Sequence, residues 1–199
     1  VGDIIIKVNG TSTAYMNIDE VARRIRGPVN TLVVLTVRKK DETEKDYKIT
    51  RQLIRVNSVK IEMKDKVGII RLKFIGENTQ KELDSSMIKL EEMGARGYIL
   101  DLRGNSGGYV SASIDVCSQF MKENSIVVSV VYRNREKDIQ RSYNTGHKHL
   151  PLVVLVNKDS ASAAEITAGA LKDSGTGIII GTKTFGKGSV QTLQRLNDG

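Results

Sequence analysis

Leu155-Val-Asn-Lys-Asp-Ser-Ala-Ser-Ala-Ala-Glu-Ile166 is the stretch that decides the fold class, because it joins a strand to a helix of small residues. The apolar run 152–156 predicts a buried strand, and the pattern that begins at about residue 162 predicts a helix to about 172. A strand that leads directly into a helix is typical of the crossover units of layered α/β folds. The rest of the chain repeats this alternation.

Strands and helices alternate on both sides of this stretch. We predict further strands at 67–74, 98–102, 126–132, 139–143, 178–180 and 189–193, and helices at 79–93 and from about 110 to 121. The helix at 79–93 carries an apolar stripe of Leu83, Met87, Leu90 and Met93. Residues 51–199 are therefore expected to form one mixed α/β unit, in which 126–132 and 139–143 form a hairpin or otherwise paired strands.

Residues 1–50 are expected to form a smaller, β-rich unit. A strand at 4–8 ends at the turn signal Asn9-Gly10, and strands follow at 31–37 and from residue 47. Between them lies a helix whose apolar face consists of Ile18, Val21, Ala22 and Ile25. The sequence opens inside a strand and closes on a turn signal, so we expect both ends to be cut from a longer protein.

Composition excludes several classes of function. One cysteine and two histidines exclude a disulfide framework and a thiolate zinc cluster, and they leave little for a histidine-based metal site. No apolar run reaches the roughly 18–20 residues of a membrane span. The net charge is +8, but the basic residues are scattered and aromatic residues are only 5%, so we expect no nucleic-acid partner.

Ser160 and Ser162 lie where the predicted strand ends and the helix begins. A hydroxyl at that point has free backbone N–H groups and the positive end of the helix dipole beside it, a setting that stabilises an oxyanion. Ser162-Ala-Ala-Glu165 also matches a capping box, in which the serine needs no chemistry. This segment alone leaves both interpretations open and favours the cap.

A serine nucleophile also needs a base, and the sequence offers two kinds. His147 and His149 accompany no G-x-S-x-G motif, and capping a strand or facing solvent is their simpler interpretation. Lys187, in Thr184-Phe-Gly-Lys-Gly188, serves as a base only where burial keeps its amine neutral. On spacing alone, a solvated hairpin tip is the simpler interpretation of that segment.

Three motifs that occur in this order favour the catalytic interpretation of Ser162 and Lys187. They are Asp101-Leu-Arg-Gly-Asn-Ser-Gly-Gly108, Ser160-Ala-Ser-Ala-Ala-Glu-Ile166 and Gly181-Thr-Lys-Thr-Phe-Gly-Lys-Gly-Ser-Val-Gln191. Together they resemble the carboxyl-terminal processing proteases, the tail-specific serine peptidases. The opening Gly2-Asp-Ile-Ile-Ile-Lys-Val-Asn-Gly10 resembles the second half of the PDZ domain that those enzymes carry. The resemblance covers almost the whole chain. It implies the carboxyl-terminal part of a PDZ domain at 1–50 and a layered α/β protease core of the crotonase/ClpP-like type at 51–199, truncated at its carboxyl terminus.

By position, the resemblance implies a Ser-Lys dyad that works through an acyl-enzyme. Ser162 matches the nucleophile, Lys187 the general base, and Gln191 the residue that orients the lysine. The backbone N–H groups of Gly108 and Ala163 match the oxyanion donors. In a strand, Gln191 would share the face of Lys187. No metal or organic cofactor is implied.

The resemblance also implies partners and a location. Substrates would be proteins or peptides with apolar C-terminal tails, captured by strand addition on the PDZ unit. Ile18, Val21 and Ile25 are candidate tail contacts, although packing in the core of that unit is the simpler use of most of them. Peripheral membrane association, homo-oligomerisation through regions outside this sequence, and a place in the cell envelope, periplasm, extracellular space or plastid lumen are implied as well.

One competing function comes from another class. Related folds bind apolar ligands or tails without hydrolysing them. A non-catalytic binding module of this kind would be expected to have lost Ser162 or Lys187, and this chain retains both.

Overall fold

The computed structural model describes residues 2–54, 56–147 and 149–191. The chain divides into two units, Val1–Val56 and Asn57–Gly199. Residues 51–54 belong to no helix or strand. The boundary between the two units lies a few residues after this stretch.

In the part of the first unit that the structure describes there are four strands and one helix: β1 Ile4–Val8, β2 Thr11–Ser12, α1 Ile18–Ile25, β3 Leu32–Arg38 and β4 Glu44–Thr50. The strands form an antiparallel sheet in the order β2-β1-β3-β4. Apolar and β-branched residues make up most of β1 and β3, as extended pairing favours. The predicted order of strand, helix and two strands is confirmed, and the two-residue β2 is an addition.

A small core holds α1 on this sheet. Val8, Val33 and Leu35 are buried, and Val21 and Ile25 of α1 pack against them. No residue of α1 is itself fully buried. The helix therefore covers the sheet with only part of its apolar face.

Over its described residues, the second unit contains seven strands and three helices: β5 Val59–Lys64, β6 Val67–Leu72, α2 Thr79–Glu92, β7 Gly97–Asp101, α3 Val110–Ser118, β8 Ile126–Val131, β9 Lys137–Arg141, β10 Leu152–Val156, α4 Ala163–Asp173 and β11 Gly177–Gly181. A five-stranded sheet has the order β11-β10-β7-β6-β5, in which only β5 runs antiparallel. β8 and β9 form the predicted hairpin. The architecture is the predicted mixed α/β class. Among the described residues, no helix is long and apolar enough to cross a membrane.

The parallel strands end at one edge of this sheet. Leu155 of β10 lies beside Asp101 of β7, and Val156 lies beside Gly181 of β11. Parallel strands point the same way, so the connections that follow them emerge together at their carboxyl ends. The three sequence motifs are the connections after β7, β10 and β11. The topology therefore brings them to one place.

Helix α2 supplies one side of the main core. Leu83, Met87 and Leu90 are fully buried, in one cluster with Leu100 of the central strand β7. Met93 was expected on the same stripe, but it is 61% exposed. That prediction is wrong because α2 ends at Glu92, and the stripe ends with the helix.

Other predictions at the level of single elements also need correction. The edge strand β5 was not predicted, and its charged residues alternate with half-buried ones. Helix α3 ends at Ser118 rather than near 121, and it buries Val116 and Cys117. The strand expected at 189–193 is absent over 189–191, and the rest of it lies outside the described residues.

We predict that Met87→Ala lowers the free energy of unfolding by about 2–5 kcal/mol, because it leaves a cavity in a fully buried cluster. Met93→Ala is the matched control on the same stretch of chain, and it should change that free energy by less than about 0.5 kcal/mol. Urea denaturation followed by circular dichroism measures both. Equal effects of the two substitutions would contradict the described packing of α2.

Candidate active site

Ser162 stands in an unusual backbone conformation at the start of α4. Its φ is 53° and its ψ is −118°. A serine that only caps a helix has an extended backbone, and a positive φ is uncommon in residues other than glycine. Ser162 and Glu165 do occupy capping-box positions. The backbone of Ser162 nevertheless shows more strain than a cap requires, and such strain concentrates at functional sites.

Ser160, the neighbouring hydroxyl, is fully buried. It donates a hydrogen bond to the Leu102 carbonyl at 2.8 Å and accepts one from the Asn157 N–H at 3.0 Å. These bonds join the end of β7 to the connection between β10 and α4. Ser160 therefore supports the turn from which Ser162 projects.

Asn105 fixes the glycine-rich loop from within. Its buried side chain donates to the Leu72 carbonyl at 2.9 Å and accepts from the Gly107 N–H at 2.9 Å. Its own carbonyl accepts from the Ala161 N–H at 3.0 Å. One residue thus connects the loop to β6 and to the serine turn.

Asp101 and Arg103 brace the start of the same loop. Two guanidinium nitrogens of Arg103 donate to the two carboxylate oxygens of Asp101, each at 2.8 Å. These hydrogen bonds hold the pKa of the Asp101 carboxyl below its usual range. The strand end and the first residue of the loop are therefore locked together.

Gly107 lies directly against the serine turn. A Cβ atom at Gly107 would be 2.6 Å from the Ala161 oxygen, 2.8 Å from the Ser162 Cβ and 2.9 Å from the Ala163 nitrogen. Only glycine allows this approach, and its φ of 99° also favours glycine. The loop motif and the serine motif are therefore in contact.

The proposed oxyanion donors flank this contact. Gly108 follows Gly107, and Ala163 is the first residue of α4, where the helix dipole is positive. Neither N–H donates a hydrogen bond to any residue that the structure describes. Both amides therefore remain available to an external oxygen atom.

The Glu165 carboxylate joins the serine turn to the third motif. Its Oε2 accepts the N–H of Ser162 and the N–H of Lys187, both at 2.9 Å. Its Oε1 accepts the Thr184 hydroxyl at 2.7 Å and the Gly186 N–H at 2.6 Å. Sequence reasoning assigned Glu165 to capping alone. The spacing between Ser162 and Glu165 predicts the capping role. Nothing in the local sequence predicts that Glu165 also accepts hydrogen bonds from a segment about twenty residues later.

These four hydrogen bonds also set the protonation of Glu165. Burial by itself raises the pKa of the carboxyl, but the donors together outweigh burial and lower the pKa below its ordinary value. The side chain is therefore a carboxylate at neutral pH. A charged acceptor makes each of these bonds stronger than a neutral one would.

Lys187 is held through its main chain, and its side chain is exposed. Its Nζ donates to Gln191 Oε1 at 3.2 Å, so the structure brings these two predicted residues together. The contact forms without the strand that sequence reasoning expected there. Within the described residues, Nζ makes no hydrogen bond to the Ser162 hydroxyl. The burial expected of a lysine base is not present.

The two histidines lie elsewhere. The His147 side chain is 5% exposed, and its ring nitrogens lie 3.0 Å from Asp84 Oδ1 and 3.3 Å from Glu91 Oε1. The expectation that it caps a strand or faces solvent is wrong, because α2 presents two carboxylates to it. His149 Nδ1 lies 3.0 Å from the Phe120 carbonyl.

The candidate tail-binding residues of the first unit differ in exposure. Ile18 is 84% exposed. Val21 and Ile25 are half-buried against the small core. Ile18 alone among them presents most of its side chain to solvent.

Two known families match different parts of this chain. The model of peptidase family S41 matches residues 66–199, which include all three motifs, and a PDZ-domain model matches residues 1–39. The chain belongs to peptidase family S41.

Curated S41 relatives match the chain over nearly its full length. The carboxyl-terminal-processing protease of Synechocystis sp. is 40% identical over 203 residues, which cover 99% of this chain and 47% of the relative. The carboxy-terminal processing protease CtpA of Bacillus subtilis is 42% identical over 198 residues, which cover 99% of this chain and 42% of the relative. The chain thus spans about half the length of these relatives.

A solved S41 structure shares the fold. The photosystem II D1 C-terminal processing protease matches with a TM-score of 0.67 and 30% sequence identity. The match covers 100% of this chain and 56% of that one.

We predict that Glu165→Gln lowers the free energy of unfolding at pH 7 by about 1–3 kcal/mol, because an amide cannot accept all four hydrogen bonds. The pKa of Glu165 is lower in the folded state than its ordinary value of 4.5. Its contribution is therefore complete above about pH 4.5 and is lost as pH falls through the folded-state pKa. Urea denaturation at a series of pH values measures the difference between variant and wild type.

That difference should stay constant between about pH 8 and pH 6 and shrink below about pH 4.5. Glu62→Gln, at an exposed position of β5, is the matched control and should leave the free energy of unfolding nearly unchanged. A Glu165→Gln difference that grows on acidification would contradict the described hydrogen bonds.

Proposed function

We propose that this chain carries the catalytic centre of a serine endopeptidase that uses a Ser-Lys dyad. The observation that carries the proposal is the Oε2 atom of Glu165, which accepts the main-chain N–H of both Ser162 and Lys187 at 2.9 Å. One oxygen atom thus ties the proposed nucleophile and the proposed base to the same site. The strained backbone of Ser162 supports the assignment, because it has no purpose in a simple cap.

The chemistry proceeds in two stages. Ser162 Oγ attacks the scissile carbonyl carbon while the neutral Lys187 amine takes the hydroxyl proton. The C–N bond then breaks, and Lys187 returns the proton to the leaving amine. Water, deprotonated by the same lysine, hydrolyses the acyl-enzyme and releases Ser162. Gln191 accepts a hydrogen bond from Nζ and so orients the amine.

The oxyanion of each tetrahedral intermediate is stabilised by two backbone amides. Gly108 and Ala163 supply the N–H groups, and the positive end of α4 adds to the field. Removal of one such donor costs about 10²–10³-fold in kcat in serine peptidases. The close approach of Gly107 to the serine turn keeps both donors beside Ser162.

Lys187 acts only when water is kept away from it. Its side chain is exposed, whereas a general base of this kind works in a site from which water is excluded. In this proposal, the bound substrate covers the segment and makes the neutral amine accessible. The same exposure favours the alternative function, a non-catalytic module that binds an apolar ligand or tail, because such a module needs no buried base.

The first unit supplies substrate capture in this proposal. Its sheet and helix receive apolar C-terminal tails of protein substrates by strand addition. Ile18 is the candidate contact with the largest exposed surface, while Val21 and Ile25 serve mainly the core. The whole protein would act outside the cytoplasm, with peripheral membrane association and self-association through regions beyond this sequence. Neither a nucleic acid nor a cofactor takes part.

We predict that Ser162→Ala abolishes cleavage of a peptide with an apolar C-terminus by the full-length protein and leaves its folding intact. Lys187→Ala should lower kcat by about 10²–10⁴-fold, which is what a general base supplies. Lys187→Arg should be nearly as poor, because a guanidinium stays protonated. Steady-state kinetics with a fluorogenic peptide measure all three variants.

Lys183→Arg is the matched control, because Lys183 is exposed in the same segment and takes no part in the proposed chemistry. It should cleave the peptide at close to the wild-type rate. Substantial turnover by Ser162→Ala would overturn the dyad. A peptide that the wild-type protein binds but never cuts would favour the binding module.

A further inference from the structure

A chain of buried hydroxyl groups runs through the second unit toward the glycine-rich loop. The Gly76 N–H donates to Thr79 Oγ1 at 2.9 Å, and the Thr79 hydroxyl donates to Ser58 Oγ at 2.8 Å. The Ser58 hydroxyl donates to Glu82 Oε2 at 2.9 Å. Ser58 is 1% exposed and Thr79 is 0% exposed. Every donor in this chain therefore points toward one carboxylate.

The Glu82 carboxylate is the final acceptor of this series of hydrogen bonds. The same Oε2 atom accepts the N–H of Ser58 at 2.7 Å and that of Val59 at 3.1 Å. Hydrogen bonds to a charged acceptor are stronger than neutral ones. Hydrogen bonds in series also polarise one another in a low-dielectric interior. The position of Gly76 at the far end is thus defined by a carboxylate that it does not touch.

The Gly76 end of this series of hydrogen bonds lies next to Gly108, the proposed oxyanion donor. Ile75, which precedes Gly76, donates its N–H to the Gly107 carbonyl at 2.9 Å and accepts the Tyr109 N–H at 3.0 Å. Gly108 lies between these two bonds. A Cβ atom at Gly108 would overlap the Ile75 carbonyl oxygen. The main chain of Ile75 therefore determines where Gly108 sits.

We propose that Glu82 is a positioning residue of the active site: its hydrogen-bond chain holds Ile75, and Ile75 holds the N–H of Gly108 on the oxyanion. This inference rests on the proposed function, which assigns Gly108 to the oxyanion. The hydroxyl groups of Ser58 and Thr79 connect Glu82 to Gly76. A displacement of about 1 Å at a catalytic group, caused from a distance, lowers rates by about 100-fold.

A purely structural role would have different consequences. Glu82 lies in the first turn of α2 and receives the start of β5, so it also stabilises the fold. A variant that only destabilises the unit should leave kcat unchanged at temperatures where the protein stays folded. A variant that releases Ile75 should lower kcat and leave substrate binding intact.

The deciding variant is Thr79→Val in the full-length protein, which keeps the shape of the side chain and removes the hydroxyl. We expect kcat to fall about 10- to 100-fold, with KM within about threefold of wild type. Thr79→Ser restores the hydroxyl and should restore most of kcat. Met87→Ala, on the same helix, is the control, because it destabilises the core without breaking the chain.

Hydrogen exchange tests the same link without any need for activity. In Thr79→Val, peptides that cover 73–76 and 107–110 should exchange at least about tenfold faster than in wild type, while β10 should exchange as before. Unchanged exchange in both peptides, or a kcat equal to that of wild type, would overturn the positioning role. A wild-type protein that cleaves nothing would instead overturn the proposed function, and the exchange result would still decide whether Glu82 positions Gly108.

Discussion

The candidate site depends on one carboxylate. Glu165 accepts four hydrogen bonds, two from the segment 184–186, one from Lys187 and one from Ser162. The segment around Lys187 contains no helix or strand, so local hydrogen bonding does not define its path. A second bond, from the Phe185 N–H to the Ser160 carbonyl at 3.0 Å, also ties this segment to the serine turn, so the charged acceptor and one main-chain bond together fix Lys187 relative to Ser162.

The sheet explains why so few contacts are enough. The parallel strands bring the three motifs to one edge of the sheet, where glycine residues allow the motifs to come into contact. Gly107 lies closer to the Ser162 turn than a residue with a Cβ atom could, and Asn105 ties this loop to β6. The hydrogen-bonded hydroxyl groups between Glu82 and Gly76 lead to Ile75, which contacts the same loop. Polar groups thus position the site, and the apolar core keeps the strand ends in place.

Sequence reasoning succeeded where a feature depends on neighbouring residues. The local features are the helix and strand patterns, the capping-box spacing of Ser162 and Glu165, and the glycine-rich loop. The resemblance of the motifs to one protease family is also specific. It failed where contacts join distant segments. The burial of His147 depends on carboxylates of α2, which lie far away in the sequence. The second role of Glu165 and the chain from Ser58 to Gly76 likewise join residues that no periodicity relates.

In our proposal, the Glu165 carboxylate brings Ser162, the proposed nucleophile, and Lys187, the proposed base, into one site. The most direct test is the distance from Ser162 Oγ to Lys187 Nζ in a crystal structure of the full-length protein with a substrate-like peptide bound. We predict that the two atoms lie within hydrogen-bond reach, about 2.6–3.2 Å apart, with the hydrogen bonds of Glu165 intact. A dyad that stays apart in that complex while Glu165 keeps all four donors would contradict it.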